Sequence, residues 1–467
     1  MGTLEHTLAE FVTALGLRSV PPEPQRVVRR VLLAVAGTGF AGAAEDGVLA
    51  LRELLVDAGG AAQATVLVYG DRLPATAAAQ LNGTVCRALD FCDAMAPGPH
   101  IGAALFPAAL AAAELAGGCS GEEFLAALVA GAEISSRFNL SEAQYDGFDP
   151  TGIVVAFAAA AAASRILGLT TEQTLHALAL AFNRCGGSFQ SHVDGSLGVR
   201  VVQGWVAQAG VQCAQMAQRG ITGPDNFLGG HYGFAHLYGR GTLDPASVTR
   251  GLGATWKLEN VVFKKYPSCG VTQGVTELAL GLVGELGLVP ADVRSAEVRL
   301  PPYAHRLVGH AFRIGANPRV DAQFNAGYCV ASAIVRGSSQ LRHFAPAQVD
   351  DPAVRAMIGR VRVVADEALD ARGHAAVDLA VTTSDGRTHV RRLDIPPGFP
   401  GNALDDAQHL ARFRDCLAYA PQPPSAAQAE QLLQALDGLA ALPDVRALLP
   451  LLVVDPATTR AREGQGR

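Results

Sequence analysis

The first half of the chain is dominated by apolar residues at helical intervals. After the PPEP turn at 21–24, this spacing predicts a helix through Val27 and Val31, because side chains three and four residues apart share one face of a helix. Further helices are predicted at 103–117, 121–138, 151–168, 172–188 and 199–219. Short glycine-bearing connections favour antiparallel neighbours. The pattern predicts a large all-helical domain over 1–257, with one short extended segment at 64–69.

The pattern changes after residue 251. β-like segments are predicted at 296–300, 359–365 and 377–383, and Ser384-Asp385-Gly386 is a hairpin signal before a strand at 388–395. Helices at 271–287 and 321–337 lie between these strands. The fold class predicted is therefore mainly α, with a smaller α+β domain over 258–397.

The C-terminal part returns to the helical pattern. Turn chemistry in PPGFPGNALD at 396–405 indicates a linker, and helices follow at 406–418 and 425–440. We expect residues 398–457 to rejoin the first domain. The last residues, 458–467, are predicted to be a flexible tail.

Composition narrows the class of protein. The chain has 467 residues, enough for two or three domains, and is 49% hydrophobic and 17% charged with a formal charge of −6. That charge provides no general attraction for nucleic acid or an anionic membrane. The longest apolar run, 153–169, is mostly alanine and contains Ser164 and Arg165, so we interpret it as a buried helix rather than a membrane span.

The termini and cysteines indicate a reducing compartment. Glu5 and Glu10 stand where a signal peptide would carry basic residues, so a cytoplasmic protein is expected. The eight cysteines are scattered without a CxxC pair. We interpret them as reduced and expect no metal site.

Chemistry concentrates first at 82–114, NGTVCRALDFCDAMAPGPHIGAALFPAALAAAE, where two acids and an imidazole interrupt an apolar sequence. Asp90 and Asp93 are three residues apart, which predicts a shared helical face. The Pro97-Gly98-Pro99 break places His100 on a loop before the next helix, whose free N–H groups would favour an anion. This predicts a site for an acidic substrate; the alternative is a helix cap at Asp90 and a structural loop histidine at His100.

A second concentration lies at 263–273, FKKYPSCGVTQ. The chain has only three lysines, so the other 34 of its 37 basic residues are arginines, yet Lys264 and Lys265 are adjacent here. A lysine ammonium differs from a guanidinium in acting as a point charge that can lose its proton. Cys269 precedes a predicted helix start, which would lower its thiol pKa, although a buried structural cysteine is the alternative. Chance alone is the alternative for the lysines.

A third segment, NPRVDAQFNAGY at 317–328, places Tyr328 in a largely apolar helix. A buried phenol needs a hydrogen-bond partner and could donate to a substrate oxygen. A core tyrosine is the equally open alternative.

Taken together, these segments resemble the MmgE/PrpD family, which includes 2-methylcitrate dehydratase, cis-aconitate decarboxylase and iminodisuccinate epimerase. The acid stretch is similar to the family's HALDFDD block and the HPS and PAALAxAE that follow it. Other counterparts are Gly131-Ala132-Glu133 with Arg137 for GxExxxR, GFDPTG at 147–152 for GFHxTG, ILGLTTEQTLHAL, GITGP at 220–224, FKKYPSCG and FNAGYCVASAI.

The resemblance implies a fold, a chemistry and a set of residues. It implies a helical domain carrying an α+β domain, an active site between them and a homodimer. It also implies proton removal or delivery next to a carboxylate of a small di- or tricarboxylic acid, with neither metal nor organic cofactor. The positions that match are Asp90, His100, Lys264 and Tyr328, with Asp93 from the same block.

The chain also departs from the family pattern. Arg87 and Cys92 replace the first and sixth residues of HALDFDD, and Ala94 stands where a decarboxylase-type hydroxyl often lies. Four further substitutions replace cationic or protonatable groups of the family: Asp149 for a histidine in GFHxTG, Val199 for a lysine with Arg200 beside it, and Cys269 and Gln273 at two histidine positions.

The sequence thus predicts a cofactor-independent lyase of dehydratase type. In this hypothesis Lys264, with Lys265 and Arg200, binds a substrate carboxylate. His100 is the acid or base oriented by Asp90, Tyr328 donates to the substrate, and Cys269 is a second proton carrier. Asp93, Asp149 and Gln273 are further substrate-binding candidates. The alternatives are an isomerase or epimerase, a decarboxylase and a non-catalytic family member.

Overall fold

The computed structural model describes residues 3–454, which form two compact units. Within that range unit 1 consists of residues 3–189, 198–261 and 416–454, and unit 2 of residues 190–197 and 262–415. The predicted tail at 458–467 lies outside the described residues.

Helices of ten or more residues are numbered here in chain order. They are α1 Leu4–Ala14, α2 Pro22–Gly42, α3 Val48–Ala58, α4 Ala75–Arg87, α5 Gly102–Leu115, α6 Gly121–Arg137, α7 Pro150–Ile166, α8 Thr171–Phe182, α9 Gly198–Gln218, α10 Gln273–Leu286, α11 Ala326–Arg336, α12 Asp406–Tyr419 and α13 Ala426–Asp437. Shorter α-helical segments are Glu142–Tyr145, Gln190–Val193, Phe234–Leu237, Ala246–Thr249, Pro302–Val308, Pro318–Gln323, Pro346–Val349, Pro352–Ile358 and Leu449–Leu452.

The strands are short in unit 1 and longer in unit 2. They are β1 Ala64–Thr65, β2 Arg72–Leu73, β3 Asp93–Met95, β4 Val261–Phe263, β5 Val293–Leu300, β6 Val361–Ala365, β7 Val377–Thr383 and β8 Thr388–Leu393. The four strands β5 to β8 form one sheet, and β1 pairs with β2.

Unit 1 is a layered helical body around α7. This helix is buried along nearly its whole length, and it packs against α5, α6, α8 and α9. Its alanines allow close approach, while Phe157 stacks on Phe138 with ring centroids 4.2 Å apart. No helix among residues 3–454 is long and apolar enough to cross a membrane.

Helices α4 and α9 cross at a pair of glycines. A side chain at Gly204 would collide with the carbonyl oxygen of Gln80 and the hydroxyl of Thr84, and one at Gly83 would press on the backbone of Gln203. Contact this close requires glycine at the crossing. It fixes the position of Gln203 relative to the end of α4, which matters for the site described below.

Unit 2 is built on a four-stranded sheet in the order β6-β5-β7-β8. Strand β6 runs parallel to β5, whereas β5 with β7 and β7 with β8 are antiparallel. Helix α10 packs on β7 and β8, and α11 packs on β6. The inward residues of β7 alternate with outward ones, as expected for a sheet with one face covered.

The predicted fold class is confirmed: the protein is mainly helical with a smaller α+β part. The predicted hairpin at Ser384-Asp385-Gly386 is confirmed by the antiparallel pairing of β7 with β8. The helix predicted at 321–337 is wrong as one element, because the chain breaks and Asn325 caps α11 through the backbone N–H of Tyr328. The extended segment predicted at 64–69 is a strand only over its first two residues, which are β1.

The predicted domain boundaries can be set beside the two units. The predicted start of the α+β domain at residue 258 lies close to the unit boundary at 261–262. At the other end, unit 2 extends to residue 415, so most of α12 groups with the sheet rather than with the helical body. Helix α13 belongs to unit 1.

Candidate functional site

The two aspartates of the acid stretch do not share a helical face, so that prediction is wrong. Helix α4 ends at Arg87, and Asp90 follows with a positive φ of 52°. Asp93 then begins strand β3. A left-handed conformation at Asp90 turns the chain out of the helix, so the two carboxylates serve different partners.

Asp93 caps helix α5 from outside it. Its carboxylate accepts hydrogen bonds from the backbone N–H groups of Ile101 at 3.1 Å and Gly102 at 3.0 Å, and its side chain is fully buried. The prediction that this helix start offers free N–H groups to an anion is therefore wrong for these two groups. Asp93 has a structural role here, and its contact with substrate stays a prediction.

A small, mainly apolar pocket lies beside this cap. Its walls are apolar except for Asp93, and residues from α2, α5 and α6 line it, among them Val31, Leu105 and Leu128. Hydrogen bonds to a carboxylate are stronger where water is excluded. The apolar surroundings therefore strengthen the hold of Asp93 on the start of α5.

His100 is fixed through three of its polar groups. Its ring Nδ1 lies 2.6 Å from the backbone oxygen of Asp93, and its backbone N–H donates to Oγ1 of Thr151 at 3.1 Å. Its carbonyl accepts from Nε2 of Gln203 at 2.6 Å. Because a carbonyl oxygen only accepts, Nδ1 carries a proton. The remaining ring nitrogen, Nε2, faces charged side chains.

Two charged groups lie at this Nε2. Arg87 Nη2 is 3.3 Å away and Asp90 Oδ1 is 3.7 Å away, while Arg87 Nη1 and Asp90 Oδ1 form an ion pair at 2.5 Å. All three side chains are at most 11% exposed. The prediction that Asp90 orients His100 agrees with the geometry only in part. The carboxylate of Asp90 lies beside the ring, at Nε2, but it is the backbone oxygen of Asp93 that fixes the ring.

Asp149 adds a second carboxylate to the field of Arg87. It caps α7 by accepting from the backbone N–H groups of Thr151 at 2.9 Å and Gly152 at 3.4 Å. Burial raises the pKa of Asp149, while Arg87 and the two backbone N–H groups act against that rise. Burial acts to lower the pKa of Arg87, but Asp90, Cys92 and Asp149 raise it, so the guanidinium stays charged.

Cys92 lies on the other side of the imidazole. Its Sγ is 3.6 Å from Nδ1 of His100, and its side chain is buried. A thiol is a weak hydrogen-bonding group compared with the carbonyl that already accepts from Nδ1. Cys92 therefore packs against the ring rather than directing it.

Arg200 is buried in unit 1 beside the carboxylate of Glu45. Its guanidinium donates to the backbone oxygen of Asp46 at 2.7 Å and lies 3.5 Å from Oε2 of Glu45. The other oxygen of Glu45 accepts from the hydroxyl of Tyr419 at 3.0 Å. Arg200 thus neutralises Glu45, and its predicted contact with substrate stays a prediction.

The lysine segment of unit 2 has one buried lysine side chain and one that is partly buried. Lys264 is 2% exposed. Lys265 forms an ion pair with Glu277 at 2.8 Å, and the hydroxyl of Tyr266 donates to the same carboxylate. Burial, followed by Glu277, raises the pKa of Tyr266 above its usual range.

Gln273 organises the turn that follows these lysines. Its amide nitrogen donates to the carbonyls of Tyr266, Ser268 and Cys269, and its amide oxygen accepts from the backbone N–H of Tyr266 at 2.9 Å. The side chain is fully buried. Every polar atom of this amide is used by the backbone, so Gln273 holds the turn, and its role as a substrate-binding residue stays a prediction.

Cys269 immediately precedes the short 3₁₀ turn Gly270–Thr272 that leads into α10. Its backbone N–H donates to the carbonyl of Gln323 at 3.0 Å. Its side chain is half-buried. The position agrees with the predicted helix start, and its role as a proton carrier stays a prediction.

Tyr328 lies in the core of unit 2. Its ring packs between Phe312 and Phe344, and its hydroxyl donates to the backbone oxygen of His343 at 2.5 Å. Burial raises the pKa of this phenol to about 12. These contacts favour the core-tyrosine alternative, because the one proton of the hydroxyl is already donated.

Three contributors to the His100 cluster were missed in the sequence. The sequence identifies Arg87 only as a departure from the HALDFDD motif, and it does not predict a role for Thr151 or Gln203. Thr151 lies in the GFDPTG segment at 147–152, which was a usable signal. Gln203 gives no local signal. Among residues 3–454, no group of three or more His, Cys, Asp or Glu side chains is arranged to hold a metal ion.

Family models match most of the chain. The model of the MmgE/PrpD N-terminal domain matches residues 6–245, and that of the MmgE/PrpD C-terminal domain matches residues 266–437. The first covers the described cluster, and the second covers most of unit 2.

Curated relatives cover long stretches at low identity. Human cis-aconitate decarboxylase is 26% identical over 96% of this chain and 95% of its own length. A cis-aconitate decarboxylase-like protein of Aspergillus oryzae is 27% identical over 87% of this chain and 89% of its own. The 2-methylcitrate dehydratase of Cupriavidus necator is 27% identical over 56% of each. The resemblance seen in the motifs is confirmed, and the chain belongs to the MmgE/PrpD family.

Proposed function

We propose that the protein is a lyase of dehydratase type that acts on a small organic acid by moving a proton at the carbon next to a carboxylate. The observation that carries this proposal is the buried cluster of His100, Asp90 and Arg87. A histidine held by two backbone hydrogen bonds and one ring hydrogen bond, with its other ring nitrogen beside a carboxylate, is suited to general acid–base catalysis.

His100 is the proposed proton carrier, acting through Nε2. Its ring does not need to reorient during a proton transfer, because Nδ1 stays bonded to the oxygen of Asp93 throughout. Asp90 stabilises the imidazolium that forms when Nε2 takes a proton, since its carboxylate is 3.7 Å away. A preorganised pair of this kind lowers the barrier without rearranging solvent.

The negative charge that develops on the substrate needs a cation. The resemblance assigns this role to Lys264, and its near-complete burial supports a charge that is not simply solvated. Lys265 is a weaker choice because Glu277 already neutralises it. Lys264 therefore remains the proposed carboxylate ligand. Tyr328 is proposed on the resemblance alone, and Cys269 is proposed as a proton carrier in place of a histidine of the family.

Decarboxylation is the second candidate, because several relatives are named cis-aconitate decarboxylases. Two residues of this chain speak against a simple transfer of that activity. Ala94 stands where a decarboxylase-type hydroxyl is expected, and Asp149 stands where a histidine is expected. Dehydration therefore comes first in this proposal.

One incubation distinguishes the candidates. The protein is mixed with citrate-, malate- and aspartate-like acids in deuterated water, and products are followed by mass spectrometry. A dehydratase gives an alkene lighter by one water. A decarboxylase releases carbon dioxide. An isomerase gives a product of the same elemental composition as the substrate, except that it carries deuterium from the solvent. Tight binding of a dicarboxylate without any of these changes would contradict an enzymatic function.

A further inference from the structure

We propose that Gln203 is a further binding residue beside His100, and that its side-chain oxygen accepts a hydrogen bond from the O–H group of a small ligand. The ligand is a bound water molecule or a hydroxyl group of the substrate, which offer the same donor. The inference deepens the proposed function and rests on it where the donor is the substrate. Gln203 contacts the backbone of His100, so this contact does not depend on the protonation of the imidazole.

The amide of Gln203 has one favourable orientation. Its Nε2 lies 2.6 Å from the backbone oxygen of His100, and that oxygen can only accept a hydrogen bond. The amide nitrogen therefore faces His100, because the reverse orientation would set two acceptors against each other. This fixes the side-chain oxygen, Oε1, at the other end of the amide.

The oxygen of this amide is buried without a donor. Only 1% of Gln203 is exposed, and no donor among residues 3–454 makes a hydrogen bond to Oε1. Such an acceptor is costly, because folding removes the water that satisfies it in the unfolded chain. Buried polar side-chain atoms in native proteins are mostly bonded to the protein, to ordered water or to a ligand. Since no described residue supplies the donor, a small molecule is the remaining source.

The packing of α9 against α4 holds Oε1 in place. A side chain at Gly83 would press on the backbone of Gln203, so the two helices are already in the closest contact. The polar groups of this crossing are also in use. The hydroxyl of Thr84 donates to the backbone oxygen of Gln80 at 3.0 Å, and Gln208 donates to the side-chain oxygen of Gln80 at 2.9 Å. Oε1 is thus fixed beside groups that donate elsewhere.

An acceptor at this position has a consequence for the choice of substrate. The nitrogen and the oxygen of the Gln203 amide share one carbon, so a donor bonded to Oε1 is separated from the carbonyl of His100 by a single amide group. A site with a buried acceptor for a hydroxyl group rejects the analogue that lacks it, because the acceptor is then left unpaired. Where the donor is the substrate, Gln203 selects hydroxy acids, which are the class that a dehydratase consumes.

Crystal structures of the wild-type protein test the contact directly. One is determined without added acid and one with the acid that the panel identifies. We expect a water oxygen at about 2.8 Å from Oε1 in the first, and either the same water or a hydroxyl oxygen of the acid in the second. Either result supports the proposal, and the second structure distinguishes the two sources. An Oε1 that has no donor in both structures, or that accepts from a protein group, would overturn it.

Binding measurements test the same contact in solution. Calorimetry compares malate with succinate, which lacks the hydroxyl group, in the wild type and in Gln203→Met. Methionine has nearly the length of glutamine but no strong acceptor. If the hydroxyl is the donor, the wild type binds malate about tenfold more tightly than succinate, and Gln203→Met loses this preference. If water is the donor, the two proteins show the same preference, and crystals of the variant lack the water. A water that stays in place in Gln203→Met would contradict the proposal.

Gln208→Met is the matched control, because it removes another amide of α9, the one that bonds to Gln80. It should keep both the preference and the water. Circular dichroism checks the folding of both variants, and if Gln203→Met does not fold, the wild-type crystal structures still decide the question.

The outcomes separate this inference from the proposed function. If no acid of the panel binds or reacts while the free protein holds a water at Oε1, the proposed function fails and the assignment to Gln203 stands. If an acid is dehydrated while Oε1 has no donor in either crystal structure, the proposed function stands and this inference fails.

Discussion

The acid stretch of unit 1 and the two polar segments of unit 2, at 263–273 and 317–328, look alike in sequence, since each places rare polar residues in an apolar setting. In the structure they differ. Around His100, the surrounding groups fix one ring nitrogen and leave the other facing an ion pair. In unit 2, Gln273 and Tyr328 donate their protons to backbone carbonyls. An unusual residue therefore indicates chemistry only when its neighbours leave a reactive atom available.

The largest effect should come from removing the reactive group in unit 1. In His100→Ala we expect kcat to fall by about 10²–10⁴-fold on whichever acid the panel identifies, because a positioned general acid or base contributes that much. Initial rates at saturating substrate measure the change, and circular dichroism checks folding. His176→Ala is the matched control, since this histidine of α8 lies 3.5 Å from Glu172. Full turnover by a folded His100→Ala protein would remove His100 from the mechanism.

In unit 2 the buried His343 affects the stability of the fold. Burial, with Arg336 and Arg342, lowers the pKa of His343 to about 4 from 6.5. The unfolded chain binds this proton at higher pH than the native one. Stability from this group is therefore fully present above about pH 6.5 and is lost as pH falls towards 4.

The loss can be measured against a variant that does not titrate. The shift corresponds to at most about 3.5 kcal/mol, at about 1.4 kcal/mol per pH unit. Urea unfolding of the wild type and of His343→Gln is compared at pH 7, 5.5 and 4.5. Glutamine retains an acceptor for the backbone N–H of Gln340, which bonds to Nδ1 at 3.2 Å. The difference between the two proteins should shrink as pH falls, and a constant difference would refute the buried neutral state.

A somewhat smaller loss is expected when the turn before α10 is disrupted. Gln273→Ala leaves the backbone N–H of Tyr266 and three carbonyls without their amide partner. We expect a loss of about 2–3 kcal/mol in the free energy of unfolding, because buried polar groups left unpaired carry most of that cost. Gln348→Ala, at an exposed position of the same unit, is the control and should change stability by less than about 0.5 kcal/mol. If Gln273→Ala keeps its stability but loses activity, the prediction that Gln273 binds substrate would be supported instead.

Local sequence patterns predict much of the helical architecture, but they do not predict much of the site. The predicted helix at 103–117 is found at Gly102–Leu115, because Pro99 before the apolar run and Gly117 after it mark its two ends. The break before α11 was missed because an asparagine cap inside an apolar run leaves the periodicity almost intact.

The cluster around His100 is assembled from four separate parts of the chain. Arg87 comes from the end of α4, Thr151 from α7 and Gln203 from α9. No spacing in the sequence relates these residues, since packing alone brings them together. The family motifs located His100 and Asp90, but neither motif nor spacing showed that a backbone oxygen fixes the ring or that Arg87 faces its reactive nitrogen.

The smallest expected change concerns Tyr328, the residue for which the two interpretations differ most. Tyr328→Phe removes one donor but keeps the ring between Phe312 and Phe344. The carbonyl of His343 still accepts from Nη1 of Arg336 at 3.0 Å, so no acceptor is left without a partner. We expect a loss of about 1 kcal/mol in stability and turnover within about threefold of wild type, or about 0.7 kcal/mol in barrier height.

Stability and turnover of Tyr328→Phe also show whether the core-tyrosine interpretation is incorrect. A donor to the reacting substrate would be worth at least about 100-fold in kcat, as for a lost oxyanion-hole donor. Stability would then change little, because the hydroxyl would not be engaged with His343. The partly exposed Tyr303 of unit 2 is the matched control, and Tyr303→Phe should change neither quantity. A Tyr328→Phe protein of unchanged stability and 100-fold lower kcat would place Tyr328 with His100 as a group that acts on substrate, and the contrast between the acid stretch and the segments of unit 2 would no longer hold at this residue.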